Sequence, residues 1–335
     1  MAHTTSPLLE TFDFTKTSAK AIASGDGWTL LHGDSLRILR ELAEHGAQVD
    51  GLISDPPYSS GGQFRGDRNK STSSKYRRGD VKSELVFEDF EGDNRDQRSF
   101  LAWASLWLWD AKTITRKGGI GFVFSDWRQL PVTTDAFQAG GWIWRGLFAW
   151  DKLGAERPAG HGRFSSRCEF GVWGSNGAMP YIPKQLEAEA AGFRGKQLAG
   201  TYGATSPRNR FHVTQKPVEL LAYIANAVPV GGLILDPFSG SASTGCGALM
   251  GGRKFLGIEL DVRAFEKSAR RLETYAKQGA DALLRERTIA KQGSLDACAN
   301  CGGPTLGGTC LDCSTPETDS AESVDLDPED SGLEG

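Results

Sequence analysis

The sequence predicts an α/β fold: a mostly parallel sheet of about seven strands, covered by helices on both faces. Three observations predict it. Short apolar runs recur along the 335 residues and tend to end in an acid. Segments with helical apolar spacing lie between them. Gly and Pro punctuate the joins. With 39% hydrophobic and 24% charged residues, a sizeable buried core is feasible.

The elements follow in order. "TLLHGD" (29–34) is a short apolar run ending in Gly-Asp. "SLRILRELAEHG" (35–46) puts Leu36, Leu39, Leu42 and Ala43 at helical spacing and stops at Gly46. "VDGLISD" (49–55) is a buried strand, and "SDPPYSSGG" follows from Ser54. Proline cannot donate a ladder hydrogen bond, so Pro56 and Pro57 end the strand. Asp55 and Tyr58 are then held on a stiff turn at a strand's carboxyl end, where open α/β sheets bind ligands. Residues 59–98 lose periodicity. They hold Arg65, Arg68, Lys70, Lys75, Arg77 and Arg78, then an acidic segment.

Residues 98–119 predict a helix with a Gly stop, its Trp103, Trp107 and Trp109 read as packing residues. "IGFVFSD" (120–126) is another buried strand. "WIWRGLFAWDK" (142–152) and "CEFGVWGS" (168–175) form a strand pair. Residues 176–211 are irregular and carry Lys184, Arg194, Lys196, Arg208 and Arg210. "KPVELLAYIANAV" (216–228) is a helix with Pro217 in its first turn. "GGLILDPFSGSASTGCGAL" (231–249) is a strand, a small-residue loop and a helix. "RKFLGIELD" (253–261) is a strand ending in acids, and 262–278 is an amphipathic helix.

The net charge of −4 conceals an asymmetry. Residues 314–335 hold eight acids and no bases, in a Ser- and Pro-rich composition that predicts disorder. Removing those charges leaves residues 1–313 at +4, which permits a polyanionic partner. No apolar run approaches the roughly 18 residues of a membrane helix, and no secretory signal is read at the N-terminus. The expected location is the cytoplasm.

The loop at 236–244 narrows the ligand. Its small residues let a ligand approach the backbone, and the helix behind presents free N–H groups. It lacks G-x-G-x-x-G and the Walker lysine, so a nucleotide phosphate is disfavoured. Glu259, at the end of the next strand, is placed to accept from two ribose hydroxyls. A pocket for a small zwitterion beside an acid for ribose describes S-adenosylmethionine.

At this point the chain resembles the beta-class amino-group DNA methyltransferases. "DPPY" (55–58) is similar to their catalytic motif, and "DPFSGSAST" (236–244) to their cofactor loop. "GIELD" (257–261) is similar to the ribose-binding segment and "TQKPVELL" (214–221) to the segment closing over the cofactor. "LHGDSLRIL" (31–39) resembles the element whose Asp reaches the adenine, and "FAWDK" (148–152) another family strand. The catalytic motif comes first and the cofactor loop last, as in the beta class. The resemblance covers about residues 28–275. One departure is Ala242, near which the family usually has a second Gly.

The resemblance implies a Rossmann-like, permuted class I methyltransferase sheet. It implies catalytic Asp55, Pro56, Pro57 and Tyr58. Its cofactor residues would be Asp34, Lys216, Asp236, Phe238, Gly240, Ser241, Thr244, Glu259 and Asp261. Asp34 also reads as a plain cap for the helix behind it. Double-stranded DNA is the implied partner, with Arg65, Arg68, Lys70, Lys75, Arg77, Arg78, Arg194, Arg208 and Arg210 as phosphate-contact candidates. A homodimer and a separate restriction endonuclease are compatible partners. The implied activity is methylation of adenine N6 on a flipped base, with cytosine N4 as the alternative. A non-catalytic DNA-binding protein on the same fold is the rival from another class.

Cys298-x2-Cys301-x8-Cys310-x2-Cys313 is a separate signal. Four thiolates in two C-x-x-C pairs suit tetrahedral zinc, and a segment this small lacks a core of its own. The expected organisation is an N-terminal extension (1–27) and a methyltransferase domain (28–280), with the four-cysteine zinc segment (295–314) and an acidic tail (315–335) behind. The domain divides into a catalytic half (28–152), a recognition region (153–211, with loop 59–98) and a cofactor half (212–280).

Overall fold

A computed structural model describes residues 7–59, 95–153, 167–179, 198–206 and 215–291, and the short pieces 305–306 and 309–310. Among these, one unit runs to Leu283 and a second begins at Leu284.

The first unit is built on strands that are apolar on both faces. Consecutive residues of a strand point to opposite sides. Leu31, Leu52, Leu235 and Leu256 therefore enter one core, while Leu30, Ile53, Ile234 and Phe255 enter the other. The first core is closed by α1 (Leu8–Thr11), α2 (Ser35–Glu44), α3 (Gln97–Ile114) and α4 (Leu130–Ala139), through Leu8, Leu39, Trp107 and Phe137. The second is closed by α5 (Val218–Ala225), α6 (Ser243–Met250) and α7 (Val262–Lys291), through Leu221, Cys246 and Leu272.

The strands are β1 (Ala21–Gly25), β2 (Trp28–His32), β3 (Val49–Ser54), β4 (Thr115–Ser125), β5 (Ile143–Asp151), β6 (Cys168–Ser175), β7 (Thr201–Gly203), β8 (Leu233–Asp236) and β9 (Lys254–Glu259). They form one sheet in the order β1-β2-β9-β8-β3-β4-β6-β5-β7. The run β2-β9-β8-β3-β4 is parallel, and β6 is antiparallel to both its neighbours. All six residues of β3 are buried because it lies mid-sheet. That burial includes Asp50, which accepts from Leu233 N at 2.8 Å and pairs with Arg116 at 3.0 Å.

The seven expected strands are present, and two more extend the edges, making nine. β1 lies in the segment expected to be an extension, pairs antiparallel with β2 and is mostly exposed. Leu8 and Phe14, also from that segment, are buried in the first core. β7 lies in a stretch expected to be irregular and adds three residues beside β5. The helix expected to reach Gly119 ends at Ile114, and residues 115–119 belong to β4. Asn176 Nδ2 donates to Thr115 O (2.6 Å) and Lys112 O (3.2 Å), so a distant side chain takes up the helix's last carbonyls. Pro217 is the N-cap of α5 and not within its first turn. Helix α4 had no counterpart in the sequence reading, and α7 runs beyond 278.

In the second unit, β10 (Thr305–Leu306) pairs antiparallel with β11 (Thr309–Cys310). Among the described residues, no helix is long and apolar enough to cross a membrane.

Candidate active site

Strands β3 and β8 are parallel neighbours, so their carboxyl ends open at the same edge of the sheet. Ser54 Oγ donates to Asp236 Oδ1 at 2.7 Å and ties the two ends together. The turn Asp55–Tyr58 and the loop Asp236–Thr244 thus leave the sheet side by side. Between them lies a cleft of about 760 Å³, within the range of small-molecule sites. Every catalytic and cofactor residue expected from the sequence lines it: Asp55, Pro56, Pro57 and Tyr58; Asp34, Lys216, Asp236, Phe238, Gly240, Ser241, Thr244, Glu259 and Asp261.

At the Asp-Pro-Pro-Tyr end of the cleft, Asp55 accepts from Tyr58 Oη and from Lys216 Nζ, each at 2.5 Å. Lys216 Nζ also lies 3.0 Å from Tyr58 Oη and 3.3 Å from Glu169 Oε2. An ammonium has three donors, and here all three have acceptors. Glu169 is held in turn by Lys152. Burial pushes the Asp55 carboxyl above its usual range, although Lys216 opposes the shift. Burial also pushes the Tyr58 phenol well up, reinforced by Asp55 and Glu169. Lys216, expected among the cofactor residues, lines the cleft and places its ammonium on Asp55.

At the other end, three features shape the loop 236–244. Gly240 has φ +50°, a left-handed conformation that favours glycine. Ala242 is also left-handed, at φ 55°, and fully buried. The position therefore wants Gly by conformation and a small side chain by packing, and Ala fills it at a backbone cost of about 1 kcal/mol. Two residues of α7 fix the loop from behind: Ser268 Oγ donates to Gly240 O (2.6 Å) and Arg271 to Ser241 O (2.7 Å).

The cleft acids do local work as well. Asp34 caps α2 by accepting from Arg37 N at 3.0 Å, and Asp261 accepts from Ala264 N at 2.7 Å at the start of α7. Glu259 accepts from Gly240 N (2.7 Å) and Asp261 N (2.8 Å), and burial lifts its carboxyl to about 7. Burial lifts Asp236 to about 6, against the bonds it accepts from Ser54, Thr244 and Phe238 N.

Sequence reasoning missed Glu169, Lys152, Ser268 and Arg271. An acid inside the apolar run "CEFGVWGS" was the one signal for Glu169. Trp103, read as packing, lines the cleft with its ring 5.3 Å from Phe238, while Trp107 is buried and Trp109 exposed. Arg65, Arg68, Lys70, Lys75, Arg77, Arg78, Arg194, Arg208 and Arg210 lie outside the described residues. So do Cys298, Cys301 and Cys313. Cys310 is described only as the last backbone position of β11. Among the described residues, no group of His, Cys, Asp or Glu could hold a metal ion.

Known proteins resemble this chain in sequence and in fold. The DNA adenine methyltransferase YhdJ of Escherichia coli is 25% identical over 282 residues, covering 77% of this chain and 86% of the relative. The type II methyltransferase M2.DpnII of Streptococcus pneumoniae is 25% identical over 263 residues, covering 73% and 89%. Among solved structures, the M1.HpyAVI–SAM complex superposes with TM-score 0.51 at 19% identity, over 73% of this chain and all of that one. The cytosine-N4-specific PvuII DNA methyltransferase superposes with TM-score 0.52 at 12% identity, over 79% and 97%. At such identities the structures show a shared fold. The N6/N4 methyltransferase family model, described as DNA methylase, matches residues 49–270, more than half of the chain and both motif-bearing strand ends. The chain therefore belongs to the N6/N4 DNA methylase family, the amino-group DNA methyltransferases.

Proposed function

We propose that the protein transfers a methyl group from S-adenosylmethionine to adenine N6 of a base flipped out of double-stranded DNA. The observation that carries this reading is the shared cleft. Asp55 and Tyr58, on a proline-stiffened turn, face the same space as the small-residue loop and Glu259. The residues present fit the cofactor. Ser239 Oγ, in the loop, is buried and has no hydrogen-bond partner among the described residues, and Glu259 lines the same wall at the end of β9. The M1.HpyAVI structure is a complex with SAM, which supports the same donor here.

When bound, the donor supplies a methyl group activated on a sulfonium. The chain's own residues do the rest. An exocyclic amine is a poor nucleophile because its lone pair is delocalised into the ring. Asp55 and the Pro56 carbonyl each accept an N–H and so favour the tetrahedral nitrogen on which the lone pair is free. The two prolines fix the carbonyl's direction. Tyr58 offers a face for the extruded base, since the target atom is unreachable inside a duplex.

The choice of adenine rests on residue chemistry and on one relative's name. In its ionised form a carboxylate at position 55 accepts strongly and cannot donate to the amine. YhdJ, the relative described above, is named a DNA adenine methyltransferase. DNA incubated with protein and donor, digested to nucleosides and separated by mass, is expected to contain N6-methyladenine. N4-methylcytosine in its place would overturn the base; neither product would overturn the activity.

We also keep zinc as the reading of Cys298, Cys301, Cys310 and Cys313. The support is their spacing and the strand pairing that ends at Cys310. Reduced, freshly purified protein is expected to contain about one zinc per chain. Elemental analysis without zinc would remove this assignment and leave the cleft unaffected.

A further inference from the structure

The site holds an apparent obstacle to the function proposed above, on which this inference rests. Asp55 has to accept an N–H from the target amine, yet Lys216 Nζ already occupies its Oδ2 at 2.5 Å. Tyr58 Oη occupies Oδ1 at the same distance. An ammonium on the carboxylate draws off the electron density that the amine's N–H would use. Lys216 cannot retreat into solvent. It is buried, with the rings of Tyr58 and Phe124 5.3 and 5.1 Å from its Nζ.

A second carboxylate waits beside it. Glu169 Oε2 lies 3.3 Å from Lys216 Nζ. Strand β6 sets Glu169 opposite Trp150 of β5, two positions before Lys152, which pairs with the Glu169 carboxylate. Glu169 is thus fixed from one side and open to Lys216 on the other. We propose that Glu169 is a positioning residue acting through Lys216: it takes the ammonium when the target amine enters and so leaves Asp55 Oδ2 free to accept that amine's N–H.

The charges suit such a hand-over. Asp55, Glu169, Lys216 and Lys152 sum to zero, so moving the ammonium between two carboxylates changes no net charge in the buried cluster. The move is short, because Glu169 is already within ion-pair distance. Burial raises both carboxyls, but Lys216 and Lys152 together bring Glu169 back below its usual range while Asp55 stays above its own. Glu169 is therefore the better-kept anion of the two. Tyr58 Oη, 3.4 Å from Glu169 Oε2, stays within the same group of atoms throughout.

Steady-state methylation of duplex DNA by the full-length protein tests this. Glu169→Gln is nearly isosteric and leaves Lys216 clamped on Asp55. Its kcat is expected to fall by about tenfold to a hundredfold. Donor affinity should stay within about twofold of wild type, since Glu169 bonds to Lys152, Lys216 and Tyr58 and not to the loop 236–244 or Glu259. Glu169→Asp keeps the charge and should recover most of the rate. In a Lys216→Met background no ammonium remains to be moved, so adding Glu169→Gln should cost nothing further. That double variant also loses one charge of each sign, and it serves if Glu169→Gln alone does not fold. A Glu169→Gln kcat within twofold of wild type would overturn the proposal. So would a further loss of rate when Glu169→Gln is added to Lys216→Met. No methyl transfer to DNA by the wild-type protein would instead overturn the functional reading itself, and the role of Glu169 with it.

Discussion

Asp55→Ala is expected to lower kcat for methyl transfer by about a hundredfold to a thousandfold or more. Donor and DNA affinities should stay within severalfold of wild type. In the proposed mechanism Asp55 contributes most as the amine nitrogen turns tetrahedral and its N–H groups become stronger donors. An interaction that strengthens only toward the transition state appears in kcat and not in binding. On the proposed reading other residues hold the ground state: the loop 236–244 and Glu259 for the cofactor, Tyr58 for the stacked base. The structure adds one complication. Removing Asp55 takes from Lys216 its nearest acceptor and leaves the ammonium with Tyr58 Oη and Glu169. A buried charge that loses a partner costs stability, so melting must be measured alongside. Asp55→Asn separates the two effects, because it keeps an acceptor of the same shape and removes the charge. Rapid-quench single turnovers with labelled donor give the rate directly. Asp55→Ala retaining more than about a tenth of the wild-type rate would remove Asp55 from the transition state.

The sheet and the two strand-end motifs were legible because each is local. A strand buried on both faces is a continuous apolar run, and Asp-Pro-Pro-Tyr or a Gly/Ser loop at its end is a break that three or four residues can show. The polar network around Asp55 was not legible in this way. Asp55 meets Lys216 across 161 residues of chain, and Tyr58 meets Glu169 across 111. Nothing local says that the antiparallel β6 will carry its one acid to that point. The braces of the cofactor loop were hidden for a related reason. Ser268 and Arg271 read as ordinary polar positions of an amphipathic helix. Only the docking of α7 turns them toward the loop carbonyls. Asp34 and Asp261 illustrate the opposite case. Their capping role is a local pattern, and it coexists with their place on the cleft wall. Edge strand β1 was missed because most of its residues are exposed, so no apolar alternation marks it.

Glu259→Ala is expected to weaken S-adenosylmethionine binding by about 1.5–3 kcal/mol, roughly ten- to a hundredfold in Kd. Two losses combine. The ribose loses its acceptor, and Gly240 N and Asp261 N lose theirs, which frees the loop that Glu259 holds at 2.7 and 2.8 Å. The same carboxylate makes binding depend on pH. Burial lifts its folded-state value from 4.5 to about 7, while in the unfolded chain it stays near 4.5. Where a folded-state acid is raised, the folded chain binds more protons between those two values. The stability that this group contributes to the ligand-free protein is therefore present in full below about pH 4.5, and it is lost as pH rises through about 7. Cofactor binding runs the other way. Ribose hydroxyls donate best to the ionised carboxylate, so binding expels the proton, and Kd should fall as pH rises through about 7. Calorimetry in buffers of different ionisation heat is expected to register that released proton near neutrality. Glu259→Gln, which cannot ionise, should bind weakly and without this pH dependence. Unchanged affinity in Glu259→Ala would remove Glu259 from the cofactor site. A pH dependence that survives in Glu259→Gln would assign the proton to Asp236, the other raised acid of the cleft.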